Sequence, residues 1–203
     1  MARLSRSEQV GTLARMLSRL NGAPPRSFDD FAASFRGRAL EKGEYFVRAG
    51  EDASTVAVVC SGVARLFYTR GDGKEFNKGF VSAPDFMSVL EALITKEPSR
   101  LSIQALTPMQ LLVAPYSRVS EFFERDPYWE RLGRRIVEQV YVKKVRREAS
   151  LLMDPAAERY RVFVAEHHAV SEAIPDYHVA AYLGITPEAL SRLKRAEKKR
   201  LGA

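Results

Sequence analysis

The sequence predicts an α+β fold in which an N-terminal antiparallel β-barrel or jelly roll is followed by a long helix and a C-terminal helical domain with a helix-turn-helix. Three observations predict it. Short β-rich runs between Arg36 and Ala114 are broken at regular spacing by turn residues. From Tyr128 to about Met153 the pattern holds no proline and one glycine, Gly133, as a long helix requires. From Pro175 to Arg195 two short helical patterns are joined at Gly184. A chain of 203 residues can divide into a sensor-sized domain and a small one. The expected boundaries are 1–125 for the β-rich sensor domain, 126–153 for the long helix and 154–203 for the helix-turn-helix domain.

In chain order, Val10, Leu13, Leu17 and Leu20 fall on one face at helical spacing, so the segment from Ser5 to Leu20 is expected to dock on a folded domain. Arg6, Arg15 and Arg19 give it the basic, amphipathic look that a transit peptide also has. Asn21-Gly22-Ala23-Pro24-Pro25 stops this helix, and Ser27-Phe28-Asp29-Asp30 starts a short second one. Turns are expected at Gly43-Glu44, Ala49-Gly50-Glu51-Asp52, Gly71-Asp72-Gly73 and Ala83-Pro84-Asp85. Strands are expected over Thr55 to Cys60, Val63 to Thr69, Phe76 to Val81, and Leu101 to Ala114 with a break at Thr107-Pro108. Ser117 to Glu124 reads as a helix, and Asp126-Pro127 begins the long one.

The long helix carries two apolar stripes. Trp129, Leu132, Ile136 and Val140 form one; Val137, Tyr141, Val145 and Leu152 form the other. A helix apolar on two sides must bury against two things. The sensor domain can supply one and the same helix of a second subunit the other, although both stripes could also pack inside one monomer. Asp154-Pro155 then starts a helix from Ala156 to His167.

The formal charge of +7 suits a polyanionic partner. A single cysteine, Cys60, forms no internal disulfide and rules out Cys-rich zinc sites and iron–sulfur clusters. No apolar run reaches the roughly 18 residues of a membrane span, and the N-terminus lacks the uninterrupted apolar core of a signal peptide. A cytoplasmic location without membrane association is expected.

The segment Pro175 to Arg195 carries the strongest signal. Val179, Ala180 and Leu183 form the inner face of its first helix, Gly184 makes the turn, Ile185 plugs the gap, and Leu190 and Leu193 anchor the second helix. Ala180 sits where the helices approach closest, and Gly184 can take the left-handed backbone that other residues resist. Thr186 can cap the second helix with Pro187 in its first position. That helix exposes Glu188, Ser191, Arg192 and Arg195, a face suited to base edges in the major groove, where arginine pairs with guanine and glutamate accepts from cytosine N4. Thr186 belongs to the same end. A Glu188–Arg192 surface salt bridge is the plain alternative for that pair. Thr186 to Arg200 holds six basic residues (Arg192, Lys194, Arg195, Lys198, Lys199, Arg200) and two acidic ones (Glu188, Glu197), a local net of +4 that suits phosphate contacts.

Several stretches resemble the Crp/Fnr family of bacterial transcription regulators over nearly the full chain. They are Leu40-Glu41-Lys42-Gly43-Glu44, Val58 to Arg65, Gly71-Asp72-Gly73-Lys74-Glu75, Pro84-Asp85-Phe86, and the recognition-helix pattern Glu188-Ala189-Leu190-Ser191-Arg192. The resemblance implies a homodimer on near-palindromic double-stranded DNA, a cyclic-nucleotide-binding-like domain that senses a signal, and Glu188, Ser191 and Arg192 reading each half-site. RNA polymerase and an unidentified small-molecule effector complete the partners it implies. A cyclic-nucleotide binder of this family would show Gly-Glu after Phe86 and an Arg-Ser or Arg-Ala pair further on. Here Met87, Ser88, Val89 and Leu90 follow, and Arg100, near the place of the phosphate-binding arginine, precedes Leu101. No cofactor is therefore expected, cyclic AMP binding of the usual kind is not expected, and Arg100 is either a ligand residue or a surface residue. With Ala203 soon after the recognition helix, the family's usual C-terminal β-wing is expected to be missing or truncated.

Two other functions compete. A cupin-type enzyme needs clustered histidine and glutamate on strands, and Arg36 to Ala114 contains no histidine. A regulator whose barrel binds nothing and serves only dimerisation stays open. His167, His168 and His178 all lie in the C-terminal part, and His167-His168 reads as a helix-end pair, not a metal site. Cys60 reads as a small buried hydrophobe, with a redox-sensitive thiol as the other possibility.

Overall fold

The computed structural model describes residues 3–201. Gly202 and Ala203, on which the wing reading falls, lie outside the described residues. Two helices open the chain, α1 (Arg6–Asn21) and α2 (Phe28–Ala33). The β region follows: β1 (Arg36–Leu40), β2 (Tyr45–Val47), β3 (Thr55–Ser61), β4 (Val63–Thr69), β5 (Glu75–Ser82), β6 (Asp85–Met87), then helix α3 (Leu90–Thr95), β7 (Ser102–Ala105) and β8 (Met109–Pro115). Helices α4 (Tyr116–Arg125), α5 (Pro127–Met153), α6 (Ala156–His167), α7 (Asp176–Leu183) and α8 (Pro187–Leu201) complete it.

The strands form two antiparallel four-stranded sheets, ordered β1-β8-β3-β6 and β2-β7-β4-β5. They do not close into a barrel. Strand spacing left barrel and jelly roll open because closure depends on which strands pair, and here the first and last strands of each sheet remain edges. The chain crosses from one sheet to the other between β3 and β4 at Gly62, whose φ of +92° favours glycine. A Cβ there would stand 2.4 Å from the Pro108 carbonyl oxygen, so the corner has no room for a side chain.

Period-2 alternation sorts the strand residues into layers. Ala57 and Val59 of β3 and Leu111 of β8 face the space between the sheets, joined there by Leu40, Leu101 and Ile103. Val58, Leu112 and Ala114 face the other way, onto a cluster with Leu13 and Leu17 of α1, Phe31 of α2, Phe122 of α4 and Trp129 of α5. On the far side of the second sheet, Val63, Phe80 and Leu106 meet Phe163, Val179, Leu183 and Leu190 of the C-terminal helices. The order across the molecule is thus helices, sheet, sheet, helices.

The expected apolar face of α1 docks as read, with Leu13 and Leu17 fully buried and Val10 and Leu20 packed at the margin. Ser5 and Glu8 form a capping box at its start. Helix α5 begins at Asp126, whose carboxylate accepts from the Tyr128 amide at 2.8 Å. Gly133 is the one glycine inside it because a Cβ would come within 3.1 Å of the Phe123 ring on α4.

The first stripe of α5 is shorter than expected. Trp129 and Leu132 are buried and Ile136 partly so, but Val140 is 45% exposed because α5 has by then run past α1 and α4. Beyond it Val137, Tyr141, Val145 and Leu152 are 44%, 65%, 44% and 80% exposed. Helix α3 and the three-residue β6 are too short to show a period and were not expected.

Candidate nucleic-acid interface

The helix-turn-helix is built from the turn outward. Helix α7 ends at Gly184, which adopts φ +68°, ψ +32° and returns its amide to the Ala180 carbonyl. Ile185 donates to the same carbonyl at 3.1 Å. Two further carbonyls at this helix end are taken by arginines from outside: Arg147 of α5 donates to Tyr182 and Arg159 of α6 donates to Leu183, the latter at 3.1 Å. Cations belong at a helix C-terminus, where unpaired carbonyls concentrate partial negative charge. Arg147 also lies over the Tyr182 ring at 3.8 Å.

Helix α8 starts as the sequence predicts. The Thr186 hydroxyl accepts from the Ala189 amide at 3.2 Å, and Pro187 takes the first helical position. Leu190 is fully buried against α7 and fixes the roll of α8 about its axis. That roll leaves Thr186, Glu188, Ser191, Arg192 and Arg195 all exposed, the last four at i, i+3, i+4 and i+7 on one face. Lys194 pairs with Asp176 and so ties the side of α8 to the start of α7.

Within the face, Glu188 and Arg192 are not joined as an ion pair among the described residues. Arg192 acts on Glu188 at longer range. The carboxyl is held below its ordinary value first by its own backbone N–H, then by the Thr186 hydroxyl, with the Arg192 charge adding in the same direction. Glu188 is therefore an ionised acceptor. Arg195 folds back on Ser191, donating to its carbonyl and hydroxyl oxygens at 3.4 Å each.

Opposite this face lies a cluster that sequence reasoning missed. Asn77 of β5 donates to the His178 carbonyl at 2.9 Å, and Asn77 and Arg65 both approach His178 Nδ1 at 3.3 Å. Arg65 also bonds Glu75 and Gln104. Two donors converging on Nδ1 require its lone pair, so His178 is neutral with its proton on Nε2. Arg65 was the available signal, a lone charge inside the apolar run Val63-Ala64-Arg65-Leu66-Phe67. His167 ends α6 with its ring against those of Phe80 and Phe163, an aromatic contact.

Arg100 is not brought near the α8 face. It stands exposed in the turn before β7, where its charge and that of Glu91 both act on the Tyr68 hydroxyl. The space between the sheets is filled by apolar side chains, including Met87, Val89, Leu101 and Ile103.

Residues 37–126 match the cyclic nucleotide-binding domain family. The transcriptional activator protein Anr of Pseudomonas aeruginosa is 29% identical over 171 residues, which cover 78% of this chain and 68% of that protein. FixK2 of Bradyrhizobium japonicum superposes with a TM-score of 0.71 at 20% identity, over 82% of this chain and 85% of that one. A CooA variant from Carboxydothermus hydrogenoformans superposes with a TM-score of 0.69 at 18% identity, over 91% and 84%. The chain thus shares its fold with FixK2 and CooA and part of its sequence with Anr. The sequence Glu188-Ala189-Leu190-Ser191-Arg192 sits on α8, with Leu190 alone turned fully inward. Among the described residues no helix is long and apolar enough to cross a membrane.

Proposed function

We propose that this chain is a Crp/Fnr-type transcription regulator that binds double-stranded DNA as a homodimer, each α8 entering the major groove of one half-site of a near-palindromic sequence. Glu188, Ser191 and Arg192 read bases, and Thr186 and Arg195 support them at the two ends of the face. The observation that carries this is the seating of α8: Thr186 caps it and buried Leu190 sets its roll, so the polar face is presented as one surface. Lys198, Lys199 and Arg200 extend the positive charge for phosphate contacts.

Dimerisation is supported by α5. Val137, Tyr141, Val145 and Leu152 form an uncovered apolar stripe, and the same stripe of a second copy is self-complementary about a two-fold axis. Residues 1–125 serve as sensor, 126–153 as dimerisation helix and 154–203 as DNA-binding unit. The sensor does not take cyclic AMP in the usual way, a reading supported by the apolar filling between the sheets and by the exposure of Arg100. RNA polymerase is the further partner this role implies.

The test is selection of genomic fragments by the purified protein. Enrichment of a near-palindromic motif is expected, with one dimer bound per site. Retention of all fragments alike, with affinity set by salt alone, overturns the reading.

A further inference from the structure

The molecule contains a second charged feature that DNA reading does not use. Between α1 and the first sheet lies a cleft of about 240 Å³, lined by Arg15, Met16, Arg19, Cys60, Ala83 and Pro84. Arg15 and Arg19 are one helical turn apart, so their guanidinium groups serve the same opening. Neither lies within ion-pair distance of a carboxylate among the described residues; Arg15 donates to the Thr12 hydroxyl at 3.0 Å. The nearest acid in sequence to the opposite wall, Asp85, is engaged with Lys143 at 3.7 Å.

We propose that this cleft binds a small organic carboxylate with a compact apolar body. The chemistry follows from the walls. Guanidinium forks match a carboxylate bidentately, and Met16, Ala83 and Pro84 offer apolar contact to the rest of the molecule. The volume lies below the ~300–1,000 Å³ of sites for larger ligands, which restricts the occupant to something near the size of a single aromatic acid.

The cleft is also placed to be felt elsewhere. Arg19 stands in the last turn of α1, and that end is clasped to α5: Arg135 donates to the Leu20 carbonyl at 2.6 Å, Asn21 Nδ2 to the Tyr128 carbonyl at 2.8 Å, and the Tyr128 hydroxyl to the Gly22 carbonyl at 3.1 Å. An occupant that draws in Arg15 and Arg19 acts on the helix turn that holds the root of α5.

Cys60, the single cysteine of the chain, lines the cleft and reports on it without reference to DNA. Burial raises its thiol pKa, so it alkylates slowly and the rate is easily followed. The experiment measures alkylation of the full chain by iodoacetamide with benzoate or inorganic phosphate added. Benzoate at millimolar concentration is expected to slow the reaction at least fivefold, and phosphate to protect far less. Arg15→Gln with Arg19→Gln should remove the benzoate protection, read as the ratio of that variant's own rates with and without benzoate. The single Arg19→Gln change, at an exposed position, should weaken protection and keeps the test open if the double variant does not fold. Alkylation unaffected by benzoate overturns the proposal, as does equal protection by phosphate or protection that survives loss of both arginines.

Discussion

Asn77 on β5 donates its side-chain N–H to the backbone carbonyl of His178 on α7 at 2.9 Å, a bond between residues 101 positions apart that ties the helix-turn-helix to the second sheet. The direction of the Asn77 amide is fixed by that carbonyl, since only the Nδ2 end can donate. Its Oδ1 is left buried with no hydrogen-bond partner among the described residues. The contact is therefore specific in geometry and incompletely satisfied.

Acid should loosen this contact. The His178 pKa is lowered from 6.5 to about 4, first by burial and then by the Arg65 charge, with Glu75 opposing. A histidine kept neutral contributes stability that is complete above its free pKa and is lost as pH falls toward the lowered one, because the released side chain takes up a proton the docked one refuses. Between pH 6.5 and 4 the docked arrangement should weaken by on the order of 3 kcal/mol. Hydrogen exchange of the α7 amides, corrected for intrinsic rates, measures it. His178→Gln should flatten the pH dependence, and an unchanged slope in that variant would assign it to other groups.

Two glycines with positive φ should respond very differently to alanine. At Gly184 the nearest atom to an added Cβ is Leu151 Cδ2 at 3.8 Å, so the cost is the left-handed backbone alone, about 1–2 kcal/mol. At Gly62 the Cβ would meet the Pro108 carbonyl at 2.4 Å. Gly62→Ala must move backbone, and a loss above about 3 kcal/mol is expected. Denaturant unfolding of both variants compares them, and equal losses would contradict the steric account.

Arg192→Ala should cost about 1–3 kcal/mol at one base pair and relax selectivity there, whereas Lys198→Ala should weaken all sequences alike and lower the salt slope by about 1. Binding titrations on a site and its single-base variants, at several salt concentrations, separate the two. Uniform weakening by Arg192→Ala would make it a phosphate contact.

Tyr141→Glu places a charge in the middle of the α5 stripe. Sedimentation should show a dimer for the parent and a monomer for the variant, with far-ultraviolet circular dichroism unchanged because Tyr141 is 65% exposed within one chain. A variant that stays dimeric places the subunit contact elsewhere.

The longer helices and the polar face of α8 were legible in the sequence because each rests on local rules. The ends of α6 and α8 are set by Pro155, Thr186 and Pro187, and period 3.6 alone puts Glu188, Ser191, Arg192 and Arg195 together. Strand limits came from Gly71 to Gly73, Ala83 to Asp85 and Pro108. What was hidden depends on pairing at long range. Whether the strands close, where α5 leaves its supports, and that Asn77 and Arg65 find His178 are all decided by residues far apart in the chain. His178 looked like one more histidine of the DNA-binding part, since its partners carry no marker of their own.

Trp129 stands where four helices meet, stacked on Phe31 at 4.0 Å and fully buried, with its indole N–H on the Ser27 hydroxyl at 3.0 Å. It is the single tryptophan of the chain. Intrinsic indole fluorescence thus comes from one known position at the base of α5, and its wavelength and lifetime register strain at that joint while staying blind to events confined to α7 and α8. The protein thus carries its one tryptophan at the root of α5, while α7 holds only the tyrosines Tyr177 and Tyr182.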